Sequence, residues 1–503
     1  MAKPTSKKRF QPPKGTRDLY PEDMLRRRYI TQAWRDTSIR HGFEEIDGPT
    51  FETSDLYAVK SGDGILGELF QAFSGKDPKD LEFIKEHDRA QLALRPEFTP
   101  TLARLYAARA AQLPKPTKWF SIGPFFRAER PQRGRLREFL QWNADVIGGG
   151  EPSYEDPADK ALEFVNADFE CAALCHAGTD LLFGAATLTA IHLNDRRIVE
   201  HALSESFDHS LSDKPDSLAR AFALLDKRSK MSTEKFEEEA SDIGLMVGEF
   251  NNREADIARK LRFAAEGGFA FSGHGADDLD TTLANAPGMP LAMLARQLNA
   301  TSARSAIQFD PSIVRGLAYY TGTVFEVIAE GERAVAGGGR YDNLIELLGG
   351  PPTPAVGFAM GDVVLSLLLE DKGLMPEGHE LLEACSRPPA SLRPEAFVVT
   401  PDEALDSAAR RLVADLRRGT ETEGFDGKPW AADRYETRPL HARRTYKSTR
   451  NIGKLLKDAT SQHAKTLVIV ENEDHATVQD LDRKDKHERI PLADVPAKVA
   501  ELT

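Results

Sequence analysis

Residues 119–148, WFSIGPFFRAERPQRGRLREFLQWNADVIG, constrain this chain more than any other stretch. Trp119–Arg127 and Glu138–Ile147 each read as a strand, with apolar or aromatic residues at short spacing. The polar stretch Ala128–Arg137 between them carries Pro131 and Gly134 as breakers, so the unit reads as a long antiparallel hairpin. Five arginines (Arg127, Arg130, Arg133, Arg135 and Arg137) fall within eleven residues, offset only by Glu129. A solvated, charged hairpin tip fits that pattern too. Arg127, however, follows directly on Phe125 and Phe126, which points it inward, and a buried guanidinium needs a counter-charge. An anionic substrate would supply one, and the planar fork of arginine suits phosphate.

At roughly 150 residues per domain, 503 residues imply about three domains. Hydrophobic residues make up 41% of the chain, ample for sizeable cores, and no apolar run is long enough to span a bilayer. The basic start MAKPTSKKRFQPPKG lacks an apolar h-region, so it is not expected to be a secretory signal. Three cysteines (Cys171, Cys175 and Cys385) fit a reducing compartment and hence a cytoplasmic protein without membrane attachment. Cys171 and Cys175, four apart on an expected helix and followed by His176, read as core packing rather than a metal site, and no structural metal is expected. A net charge of −13 excludes a generally sticky nucleic-acid binder. Any polyanion contact must be local, and one window qualifies: Arg438–Lys457 holds seven Lys/Arg and no acid. Charge alone fits a solvated helix face equally well.

Taken in order, the periodicity predicts a helix from about Glu22 to His41, then a strand containing Pro49. Residues 74–90 are highly charged and read as a solvent loop or flap. In QLALRPEFT, a strand with Leu92 and Leu94 stops at Pro96 and leaves Glu97 and Thr99 at its end, placed to bind an ammonium if they are not simply surface groups. Gln141 and Asp145, four apart on one strand, share a face. Helices are expected at Asp159–Cys175, Arg196–Leu203, Ser217–Leu225, Lys235–Leu245, Asn252–Arg262 and Pro290–Leu298, with a strand at Thr189–Asp195. Residues 306–344 return to strands. Arg315 precedes a glycine, Tyr319 and Tyr320 face opposite ways, and Gly337–Gly339 lack a P-loop frame and read as room for a pocket with Tyr341 on its wall. The proline-scattered stretch 376–394 reads as a linker. The remainder alternates strands and helices, with helices at Ala404–Leu416 and Thr445–Ala459.

FRAERPQRGRLREFLQ resembles the second signature of class II aminoacyl-tRNA synthetases, in the form of the histidyl-tRNA synthetase family. LRPEFT, VRGLAYYTGTVFE, TPAVGFAMGDVVLSLLLEDKG and NIGKLLKDATSQHAKTLVIVENED are similar to other stretches of that family, so the resemblance covers nearly the whole chain. It implies an α/β (α+β) fold: an antiparallel-sheet catalytic domain over 1–375 with a helical insertion at about 195–300, a linker at 376–394, and an anticodon-binding domain over 395–503. It implies a histidine–tRNA ligase that uses L-histidine, ATP with Mg²⁺ and tRNA(His), and a homodimer built on the first helix. Carried over residue by residue, Arg127 and Arg315 would be catalytic. Glu97, Thr99, Gln141, Asp145, Tyr319, Tyr320 and Tyr341 would bind histidine, the second Tyr of the pair hydrogen-bonding its ring. Arg127, Glu129, Arg135 and Arg315 would bind ATP. In the basic window, which the resemblance puts in the anticodon-binding domain, Arg443, Arg444, Lys447, Arg450 and Lys454 would meet tRNA, while residues 420–444 read as a local insertion.

Two positions depart from the pattern. The family usually has Arg where Val364 stands, and Asp where Ala318 stands. The first loss removes a usual contact to the ATP γ-phosphate, and Arg135 is expected to take over part of it. Two other classes fit the same scaffold: a non-catalytic paralogue that binds histidine as a regulatory subunit of ATP phosphoribosyltransferase, and an RNA-binding protein without an imidazole pocket.

Overall fold

A computed structural model describes residues 10–61, 67–149, 159–184, 189–208, 216–228, 231–265, 288–301, 306–311, 313, 320–329, 334–425, 427–446, 449, 451–483 and 487–503. Its first eleven strands are β1 (Glu44–Glu45), β2 (Phe51–Thr53), β3 (Gln71–Ala72), β4 (Leu92–Leu94), β5 (Thr117–Phe126), β6 (Glu138–Ile147), β7 (Thr189–Asp195), β8 (Ala306–Phe309), β9 (Thr323–Ala329), β10 (Ala334–Arg340) and β11 (Ala355–Gly361). Eight of them form one sheet in the order β1-β5-β6-β11-β10-β9-β7-β8, antiparallel except at its two ends. β2, β4 and β3 form a small sheet beside it. The expected hairpin is β5 and β6, paired from Thr117↔Ile147 to Phe126↔Glu138.

Alternation gives the large sheet two unlike faces. On one face Phe120, Trp142, Ala144, Val146, Phe358, Met360, Phe325 and Val327 form the main core under two helices. The first, Pro21–Arg40, buries Ile30, Ala33, Trp34 and Thr37, a helical stripe. The second, Asp159–Phe183, buries Cys171 and Cys175 in the same core. Polar groups here are satisfied. Trp142 Nε1 donates to Ser38 Oγ (3.0 Å), and Trp34, stacked on Trp142, donates to Met360 Sδ. The fully buried Arg340 meets Asp168 at 2.7 Å, and Asp168 also accepts from Thr323.

The C-terminal unit has a five-stranded sheet in the order β15-β12-β16-β17-β18. Its strands are β12 (Ala396–Val399), β15 (Ala442–Arg444), β16 (Thr466–Val470), β17 (His475–Asp480) and β18 (His487–Pro491). β13 (Thr420–Glu421) and β14 (Tyr435–Thr437) make a separate ribbon. This unit is bolted to the N-terminal body by arginines. Arg417 reaches Glu170 (3.1 Å) and the His41 carbonyl, and Lys118 of β5 meets the same carboxylate at 3.0 Å. Burial alone would push Glu170 up, but Arg417 and Lys118 hold it below the usual carboxylate range. The 420–444 stretch docks too: Trp430 Nε1 donates to Glu380 and Arg434 to the Leu181 carbonyl.

Four sequence-based expectations fail here. The strand expected across Pro49 is two short strands, β1 and β2, with the proline in neither. Within 74–90, Pro78–His87 is a helix capped by Asp77, whose carboxylate accepts from the Lys79 amide. It buries no residue, so it has no apolar stripe to read. Within 376–394, Gly378–Cys385 is a helix that buries Leu381 and Ala384. The helix expected from Thr445 begins at Ile452, because Ala442–Arg444 is a strand and Asn451 supplies the cap.

Candidate active site

The second face of the large sheet carries a band of small and polar residues between the large apolar side chains Trp119 and Ile147 at one end and Phe125 and Phe139 at the other. Antiparallel partners lie side by side on one face, so the register sets Trp119 beside Asp145, Ser121 beside Asn143 and Gly123 beside Gln141. The next strands continue the rows with Gly357, Ala359 and Gly361, then Gly339 and Gly337. Two of these glycines are dictated by neighbours. A Cβ on Gly357 would lie 1.8 Å from Asp145 Oδ1, and one on Gly339 would lie 2.9 Å from the Tyr320 ring. Tyr341, fully buried, donates its hydroxyl to Asp145 Oδ1 at 2.5 Å. Burial, and then the Asp145 charge, push the phenol well above its ordinary pKa, so it stays a donor.

This floor is not satisfied from within. Ser121 Oγ, Gln141 Oε1 and Asn143 Nδ2 are buried and have no hydrogen-bond partner among the described residues. An unmet buried polar atom costs about 1–3 kcal/mol, and three in adjacent rungs mark a surface built to be completed by something polar. Sequence reasoning named Gln141 and Asp145 but missed Asn143 and Ser121. The signal was present, since every second residue of WNAD and its partner strand faces the same way.

Arg127 closes the end of the floor nearest the hairpin loop. Its Nε donates to the Pro96 carbonyl at 3.1 Å and its guanidinium lies over Phe139, 5.2 Å from the ring centroid. That bond fastens it to the segment carrying Glu97, while Thr99 opens the next helix; both are half-buried. Among the described residues no carboxylate pairs with Arg127. Arg95, just upstream, is a locking residue: 1% exposed, it donates to the Pro124 carbonyl and to Asp47, and fills the space that a Cβ on Gly123 would need.

In the loop, Arg135 pairs with Glu129 at 2.9 Å and Arg133 with Asp371 at 2.7 Å. Val364 sits against Gly134, 3.4 Å from where a Cβ there would stand. Asp362, two residues before Val364, is buried, accepts from the Leu140 amide and pairs with Arg17. The structure thus gathers Glu97, Thr99, Arg127, Gln141, Asp145, Tyr320 and Tyr341 around one sheet face and its rim. Arg315 and Tyr319, as well as Ala318, lie outside the described residues.

The C-terminal basic window is divided. Arg443 donates to His441 and Gln462 and lies against Gly42 of the N-terminal body. Arg444 pairs with Asp406 at 3.1 Å and is largely buried. Both face the seam. Lys454 and Lys457 are exposed on the helix Ile452–Ser461. Lys447 and Arg450 lie outside the described residues.

Comparison with known proteins adds the following. The family profile for histidyl-tRNA synthetase matches residues 15–362. A histidine–tRNA ligase of Opitutus terrae is 36% identical over 377 residues, covering 73% of this chain and 76% of the relative. One of Haloarcula marismortui is 35% identical, covering 72% and 75%. The histidyl-tRNA synthetase structure from Nostoc sp. PCC 7120 superposes with a TM-score of 0.52 at 19% identity, covering 98% of this chain and 100% of that one.

Proposed function

This chain belongs to the histidyl-tRNA synthetase family, and we propose how its residues carry out the histidine–tRNA ligase activity that membership brings. ATP enters as its Mg²⁺ complex. The carboxylate of L-histidine attacks the α-phosphorus in line, pyrophosphate leaves with its bond electrons, and histidyl-adenylate forms. A terminal ribose hydroxyl of tRNA(His) then attacks the adenylate carbonyl, and AMP leaves. Positioning and charge stabilisation do most of this work.

Arg127 neutralises charge growing at phosphorus, with Arg315 approaching from the other side. Glu97, Thr99 and Gln141 hold the α-ammonium. Asp145, fixed by Tyr341, accepts from the ring N–H, and Tyr319 and Tyr320 wall the ring pocket. One observation carries the assignment: a glycine-lined floor with three unmet polar atoms lies between an unpaired-by-carboxylate Arg127 and the Tyr341–Asp145 pair. For the ATP tail, Arg135 leaves Glu129 for the phosphates, in place of the arginine missing at Val364.

The RNA-facing surface is the exposed start of the helix Ile452–Ser461, with Lys454 presenting charge on its first turn and with Lys447 and Arg450 in the same window. Arg443 and Arg444 contribute by holding the domain in place. The protein works as a homodimer joined through the first helix and β2, whose Met24 and Phe51 are exposed in the single chain. It works in the cytoplasm, as three free cysteines fit a reducing compartment. Among the described residues no helix is long and apolar enough to cross a membrane.

Histidine-dependent ATP–pyrophosphate exchange, followed by aminoacylation of tRNA(His), tests the whole. A protein that binds histidine but shows no exchange would be the regulatory paralogue instead.

A further inference from the structure

Between the N-terminal body and the C-terminal unit lies a cavity of about 440 Å³ that shares no residue with the candidate active site. Its walls are the end of the helix Pro21–Arg40, the helices Asp159–Phe183 and Asp406–Arg418, and the β13–β14 ribbon. A space of that size suits a small molecule. Most of the charge around it is settled within the protein. Arg417 pairs with Glu170, Arg410 and Arg444 with Asp406, Arg418 with Asp415, and Arg434 with Glu421. Two lining charges of opposite sign are left over. Among the described residues, Arg40 has no carboxylate within ion-pair distance and Asp180 has no cation. The histidine nearest Asp180, His176, is buried, and that burial lowers its pKa and keeps it neutral.

Arg40 ends the first helix, and its Nε is buried without a partner. Asp36, one turn back, is engaged by the Ala390 amide at 3.0 Å. Burial pushes the guanidinium below its ordinary pKa and Asp36 only partly offsets this, as expected of a cation short of a counter-charge. Beside it His41, 6% exposed, has a buried Nδ1 with no partner among the described residues. Burial, and then Arg417, hold that ring well below its ordinary pKa, so it is neutral and has one N–H to give. Tyr435 of the ribbon stands within electrostatic reach of both Arg40 and Asp180, so the two unanswered charges border one stretch of the cavity. An anion alone would answer Arg40 and be opposed by Asp180, and a cation alone would do the reverse. Only a molecule carrying both charges answers both. Ala173, Ala177, Val413, Ala414 and Leu492 make the rest of the wall apolar.

We propose that this cavity is a second small-molecule site, which takes a zwitterion of the α-amino acid class with an apolar side chain. The ligand carboxylate lies on Arg40 and His41, its ammonium on Asp180, and its side chain along Ala173, Ala177 and Val413. Because both units supply walls, the occupant ties one to the other. The site stands apart from the ligase chemistry, none of whose residues line it.

Titration calorimetry of the full chain with L-leucine and with L-phenylalanine tests it. At least one should bind saturably, with a Kd of about 1 mM or tighter. Isocaproate, which is leucine without its ammonium, and isoamylamine, which is leucine without its carboxylate, should each bind at least about tenfold more weakly. Arg40→Gln and Asp180→Asn should each weaken the amino acid by about tenfold while histidine-dependent exchange stays within about twofold of wild type. Binding of neither amino acid would overturn the proposal and leave the cavity a water-filled crevice. Isocaproate binding as tightly as leucine would overturn it in favour of a plain anion site. Binding unmoved by both substitutions would overturn it too, since the amino acid would then sit elsewhere. If Arg40→Gln does not fold, Asp180→Asn decides, because that side chain is partly exposed. A wild type that binds the amino acid as described but shows no exchange would sink the ligase reading and leave this one standing.

Discussion

The eight-stranded sheet buries polar groups on both faces, and it treats the two sets differently. On the helix-covered face Trp142 is answered by Ser38, Trp34 by Met360 and Arg340 by Asp168. On the glycine-rich face Ser121, Gln141 and Asn143 are left open. The same backbone, read at odd and even positions, therefore holds a finished core and an unfinished receptor. The difference teaches that buried polarity is not itself the mark of a site; unanswered polarity is.

Substitutions should separate the faces by what they damage. The largest expected effect lies on the finished one. Trp142→Ala empties the space against Trp34 and Phe358 and should cost about 3–5 kcal/mol of stability, read by denaturant unfolding. Asp168→Ala takes from the buried Arg340 one of its two carboxylates, Asp342 remaining at 3.1 Å, and a loss of about 1.5–3 kcal/mol is expected there. Neither should alter the histidine KM of the folded fraction selectively. If either does, the two faces are not independent.

On the receptor face the losses should be catalytic. Arg127→Ala should lower the adenylation rate by about 10²–10³, with little change in melting temperature. Gly357→Ala, whose Cβ would overlap Asp145 Oδ1, should raise the histidine KM by about tenfold and leave the ATP KM alone. Tyr341→Phe removes the donor to Asp145 and should cost about threefold in histidine KM. Because burial keeps that phenol protonated far above neutrality, the loss should be the same across roughly pH 6–9; a loss confined to one end of that range would mean the tyrosine titrates. An Arg135→Ala variant with a normal ATP KM would show that Arg135 does not cover for Val364.

Much of this architecture was legible before any coordinates. The hairpin was readable because alternating aromatic residues meet a proline-and-glycine loop, and the second strand spans Glu138–Ile147 as expected. The first helix was readable from a stripe that ends up against Trp142. Elements without a stripe were not: Pro78–His87 is held by its cap and by proline at its start, not by burial. Gly378–Cys385 was hidden among prolines that flank rather than break it. In the basic window, charge was visible but direction was not, so Arg443 and Arg444 could not be told from Lys454. Asn143 escaped notice because its type is ordinary, and only the register gives it neighbours that fail to satisfy it.

Lys118 and Arg127 belong to one continuous run of chain. The first is gripped at Glu170, together with Arg417 from the C-terminal unit, and the second stands where the reacting phosphorus is expected. Nine extended residues make a rod about 30 Å long, hydrogen-bonded to β6 along its whole length and therefore stiff. Tugging its root slides its tip rather than bending it, so the C-terminal unit, for which an RNA partner is proposed, holds the far end of the strand that leads to Arg127.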